Sequence, residues 1–238
     1  MSTRRIRAIL RKELQEYRRN RFLLGGMAIL PLIFIIQPLV AVVELSASAS
    51  SSLGQEHVLL YMLGIPILVP GLVAATAVAG ERQQGTLEPT LTTPIRPDEL
   101  LLGKALAALA PSLVIAYAVY ALFLALVELL AQPTVSSSLI RGPDLVAQVL
   151  FTPLLATWSI WVGMAISTRM SDPRVAQQLG LLASLPPVLL AVLIAINVIP
   201  PTPGLAAGSA ALVLVLDGLG WRMTSRLFDR ERLITGTG

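Results

Sequence analysis

The sequence predicts an all-α integral membrane protein: six membrane-crossing helices behind an N-terminal amphipathic helix at the interface. Three observations carry that expectation. Apolar residues make up 55% of 238 positions and charged residues 13%, with a mean hydropathy of +0.75, whereas soluble domains carry ~25% charge. Six stretches are continuously apolar over about the ~20 residues that a helix needs to cross a bilayer core. Lysine and arginine gather in alternate connections. In water such a chain would expose more apolar surface than a soluble monomer tolerates, which excludes an ordinary cytosolic enzyme.

The expected organisation is an interfacial helix over 1–21, a six-helix domain over 22–221 and a basic tail over 222–238. In the leader, Ile6, Ile9, Leu10, Leu14 and Tyr17 share one helical stripe while Arg4, Arg7, Arg11 and Arg18 point elsewhere. Such a helix lies in the interface with its cations near acidic headgroups. The spans follow at Phe22–Val43, Val58–Ala79, Ala105–Leu130, Leu145–Ser167, Leu179–Ile199 and Leu205–Trp221. Their apolar runs are continuous rather than alternating, so they read as helices, which satisfy their own backbone in lipid. The first run exceeds a signal-peptide core and reads as an uncleaved anchor.

Orientation comes from the basic residues. Eight precede the first span, three follow the second, two follow the fourth and four follow the sixth, seventeen of the eighteen in the chain; Arg141 alone falls in the opposite connections. The positive-inside rule then predicts both termini in the cytoplasm. The same rule accounts for the basic balance without nucleic acid.

Cysteine is absent and His57 is the one histidine, which excludes disulfide frameworks, thiolate metal sites and Cys or His nucleophile sets. Gly103-Lys104 lacks the preceding glycine and following hydroxyl of a phosphate loop, so no nucleotide motor is encoded.

The connection after the second span is the richest in signals. Thr86 is expected to cap a short helix ended by Pro94, and Pro97-Asp98-Glu99 to open the next span. Leu87 and Leu91 would share one face of that helix. Docked into a partner's cleft, each is worth up to ~1.5–3 kcal/mol; the alternative is that both fold back on the membrane interface.

Within the spans, Glu128 and Asp217 are functional suspects because an ionisable group at membrane depth is costly. Asp217 is within reach of Arg222, or across to Lys104. Gln37, Asn197, Thr76 and Thr157 read first as hydrogen-bonding glue between helices. An ion-coupled secondary transporter or channel using Glu128 and Asp217 is the alternative function from another class.

Gly80-Glu81-Arg82, Gly85-Thr86-Leu87-Glu88, Thr93-Pro94 and Leu102-Gly103-Lys104 resemble the first cytoplasmic loop of the type-two ATP-binding-cassette (ABC) export permeases. Arg11-Lys12-Glu13-Leu14, Ser171-Asp172-Pro173-Arg174 and Leu227-Phe228-Asp229-Arg230 resemble the same family, in order along the chain. The resemblance implies a non-catalytic, multi-pass subunit of the plasma (inner) membrane. It would be paired with a second permease subunit and driven by a separate nucleotide-binding ATPase, which binds the ATP and magnesium. By position, Glu81, Arg82, Thr86, Leu87, Glu88 and Leu91 would form the coupling contacts, with Asp172 and Arg174 on the second loop. No cofactor, metal or catalytic residue is expected in this chain. The connector Pro200–Gly204 is shorter than the helical segment that many members carry there.

Overall fold

The computed structural model describes residues 2–45, 58–86, 95–196, 198–200 and 202–227. Among them, ten α-helices and one 3₁₀ segment occur, with no strand. Helix α1 (Thr3–Arg19) precedes α2 (Arg21–Val43), the first span. A 3₁₀ turn, Val58–Gly64, runs into α3 (Ile65–Thr76) and α4 (Ala79–Gln83), which together make the second span. The third span is α5 (Pro97–Leu130); a short α6 (Pro133–Leu139) leads to the fourth, α7 (Gly142–Arg169). The fifth consists of α8 (Pro173–Ala183) and α9 (Leu185–Ala195), and the sixth is α10 (Pro203–Leu227). Six stretches in this order are long and apolar enough to cross a membrane.

The second span is the hub. Its α3 packs against α7, α8, α5 and α2, and nearly every residue from Ile65 to Ala75 is buried. Small side chains permit that closeness. A Cβ on Gly71 would stand 2.7 Å from Ser159 Oγ, and one on Gly163 3.0 Å from Ala74 Cβ. Ser159 and Gly163 are four apart on α7, as Gly71 and Ala75 are on α3, the small-residue spacing that lets membrane helices approach. Ser159 Oγ donates to Ile67 O at 2.6 Å. Where the second span breaks between α3 and α4, Ser167 Oγ accepts from both Val78 N and Ala79 N at 3.0 Å, supplying partners that the helix interruption removed.

Several boundaries differ from the sequence reading; the sixth span, for one, runs on to Leu227, past Trp221 and into the stretch expected as a tail. The third span begins eight residues earlier than the apolar run, because Arg96 caps it and Pro97 sits in its first turn. The fifth begins at Pro173, inside the stretch read as a loop, and breaks at Ser184. Pro186 and Pro187 lack the N–H groups that would continue α8, so they occupy the first turn of a new helix instead. The connection between the third and fourth spans holds a short helix, α6, whose inner face is buried through Val135 and Leu139. The short fifth connector matches expectation: among its described residues no helix lies between Ala195 and Pro203.

Candidate functional site

Helix α1, the α4 end of the second span, the first turns of α5 and the α7–α8 junction meet at one end of the bundle, which also carries most of the basic residues. The contact begins with α1. Its apolar stripe packs on the third span. Ile9 is buried against Gly103, where a Cβ would stand only 2.6 Å from Ile9 Cγ2. Glycine at 103 is therefore what lets the two helices touch. Arg4, Arg7 and Arg11 remain exposed on the far face.

Helical spacing places Glu13 between Ile9 and Tyr17 on that same packed stripe. Glu13 is 4% exposed and Lys104, one residue beyond Gly103, is 1% exposed. Lys104 Nζ donates to Glu13 Oε1 at 2.8 Å and lies 2.9 Å from Glu81 Oε1 on α4. Lys12 Nζ donates to the same Glu81 oxygen at 3.1 Å and stands 3.1 Å from Glu16. Burying an ion is costly unless it is paired. Here Lys104 lies between two carboxylates, with Lys12 at the rim. Burial by itself would lower the Lys12 pKa, but Glu13 and Glu81 more than reverse this and hold it above the ordinary lysine value. Its contribution is lost only as pH rises through that elevated pKa, so Lys12 keeps its charge through neutrality. Tyr17 is likewise pushed up, by burial and then by Glu13, Glu16 and Glu81, and stays neutral.

Both sides of segment 87–94 are tied down. The short helix expected to start at Thr86 lies outside the described residues; on the incoming side, Thr86 closes the end of α4. Gly85 adopts φ +69°, Gly85 N donates to Arg82 O and Thr86 N to Glu81 O. This pair of bonds closes a helix C-terminus around a left-handed glycine. Arg82 reaches sideways to Met170 O at 3.0 Å and Thr168 O at 3.2 Å, satisfying carbonyls at the end of α7. On the outgoing side, Glu99 accepts from Ser2 N at 2.7 Å, from Arg96 N at 3.3 Å and from Arg5 Nη1 at 3.4 Å. Helix α1 thus grips both the entrance and the exit of the segment.

Of the residues named from sequence, Glu81 and Arg82 have partners within the chain. Asp172 caps α8 by accepting from Arg174 N at 2.8 Å, and both residues are exposed. Glu81, Gln83 and Gln84 share with Asp172 and Arg174 one open cleft of about 940 Å³, floored by Glu13 and Lys104. The two loops are therefore neighbours. Leu87, Glu88 and Leu91 lie outside the described residues, as does Asn197. Gln37 is exposed on the first span, and Glu128 is exposed near the end of the third span remote from Lys104. Asp217 is buried with its Oδ1 unpartnered. The expected reach to Lys104 is not made, because Glu13 and Glu81 hold that lysine. Glu13, Glu99 and Lys104 were missed as site residues. The signal for Glu13 was present: a carboxylate four residues from Ile9 and from Tyr17 on an otherwise apolar stripe.

A family profile described as ABC-2 family transporter protein matches residues 7–207. The chain belongs to the ABC-2 family. It is accordingly an ABC transporter permease, a multi-pass membrane subunit of a kind that is generally non-catalytic and works with an ATP-binding partner. The matched region takes in most of the permease's leader helix, both loops of the cleft and five of the six spans. No match was found among curated proteins.

Proposed function

We propose that this permease is the membrane subunit of an ATP-driven exporter, in which a separate nucleotide-binding chain binds ATP and magnesium and pushes on segment 87–94. The observation that carries the reading is the ion cluster Lys12–Glu81–Lys104–Glu13. Through it a force on the segment reaches the second span, the third span and the leader helix together. A lever on a loose base would dissipate the motion. Reversing a two-state equilibrium from 1:99 to 99:1 needs ~5.5 kcal/mol, and two docked leucines, at up to ~1.5–3 kcal/mol each, supply a useful part of it.

Asp172 and Arg174 sit across the same cleft and are the second contact with the motor. The charge pattern supports a plasma (inner) membrane location with both termini and the cleft in the cytoplasm. A second permease copy or a related chain would complete the path. The secondary-transporter alternative rests on Glu128 and Asp217, which stand on different spans, the first exposed and the second buried.

The permease should co-purify with an ATP-binding protein. Leu87→Asp and Glu88→Lys are expected to lower cargo-stimulated ATP turnover while leaving the thermal transition of the permease in place. Normal turnover and transport in both variants would refute the assignment of segment 87–94 as the lever.

A further inference from the structure

At the end of the bundle opposite Lys104, a cavity of about 430 Å³ lies among the second, fourth, fifth and sixth spans. It exists because α9 packs on the 3₁₀ turn Val58–Gly64 while α10 packs on α7, so the fifth and sixth spans diverge. Its lining on α7 runs from Pro143 to Leu155. At ~1.5 Å per helical residue this is about 18 Å, near the ~15 Å depth of one leaflet's hydrocarbon. Polarity changes along that depth. Asp144 and Thr202 stand where α7 and α10 begin, whereas Leu155 and Val213 lie farthest along the same helices. The walls between are nearly all hydrocarbon, and the volume falls in the ~300–1,000 Å³ range of small-molecule sites.

We propose that this slot is a binding site for a single hydrocarbon tail of an amphiphile, with the tail against Ala147, Ala191 and Val213 and the polar head at the exposed Thr202 end. A water-filled slot is disfavoured, since buried water requires two to four polar partners and the deeper walls offer little beyond Ser209. The tail is that of a bilayer phospholipid, whose hydrocarbon depth the lining on α7 matches. Tail binding stands whether or not segment 87–94 couples to ATP.

The test uses the full-length permease in phosphatidylethanolamine–phosphatidylglycerol liposomes with two probes, phosphatidylcholine bearing a diazirine on one palmitoyl chain and diazirine-bearing palmitate. After illumination, adducts are mapped by mass spectrometry. Adducts on 147–155, 191–194 and 206–213 are expected to exceed those on the exposed first-span residues Ile29, Ile33 and Ile36 by about tenfold, equivalent to ~1.4 kcal/mol of preference. Pocket labelling by the phospholipid probe supports the bilayer tail, and labelling by palmitate alone would overturn it in favour of a free single-chain amphiphile. Ala147→Trp or Ala206→Trp should abolish the excess while sparing the first-span adducts. Adducts spread evenly over all spans in the wild type would overturn the site, independent of how the tryptophan variants fold. An excess that both well-folded variants leave untouched would do the same.

Discussion

The two ends of this bundle are built on opposite principles. At the basic end, helices are pinned by a buried lysine between carboxylates, by Arg82 on the carbonyls of α7 and by a glycine contact too tight for any side chain. At the other end the fourth, fifth and sixth spans part around an apolar slot. Charge-assisted bonds are directional and hold one geometry. Apolar contacts against a cavity tolerate rearrangement at smaller cost. A transporter that must transmit force at one end and admit a ligand at the other has use for that asymmetry.

The largest test of the contrast is Lys104→Met. It removes the buried partner of Glu13 and Glu81 and leaves them only Lys12 at the rim, and breaking a buried ion pair from one side costs ~3–5 kcal/mol. Thermal unfolding in detergent, followed by tryptophan fluorescence, should fall markedly, and adding Glu13→Gln with Glu81→Gln should recover much of the loss. A silent Lys104→Met would remove the clamp from the account.

Cavity formation compares the ends directly. Leu101, fully buried in the pinned region, should cost towards the top of the ~2–5 kcal/mol range when replaced by alanine. Leu63, which lines the slot, should fall at its foot because space already exists beside it. Equal losses would mean that the two ends are packed alike.

Gly103→Val tests the α1 contact more narrowly. Overpacking there should cost ~1–3 kcal/mol, and Ile9→Ala in the same chain should relieve it. Smallest is Gly85→Ala. The left-handed φ imposes ~1–2 kcal/mol on a residue with a Cβ, read as a modest drop in the unfolding transition.

The spans were legible because membrane solvation imposes a length and a composition that each segment must meet alone. The leader was legible for a related reason, its stripe being a local periodicity. What that stripe meets was not. Its apolar residues satisfy lipid as well as they satisfy a protein groove, and only the presence of Gly103 opposite Ile9 decides between the two. The break at Ser184 shows the same limit in smaller form. Pro186–Pro187 announced an irregularity, while the outcome, a second helix start with Ser184 Oγ donating to Gly180 O and 3.4 Å from Ser159 Oγ, depended on a neighbouring span.

By itself, then, the chain determined its helical class, its six crossings, its basic end and the family pattern of its loops, since each follows from local hydropathy, local charge and short motifs. The tertiary structure alone decided that Glu13, Lys104 and Glu81 form one cluster, that Arg82 serves α7, and that a slot opens among the last spans. Glu13 and Lys104 are 91 positions apart. Coulomb attraction and cavity shape depend on distances in space, which sequence separation does not encode.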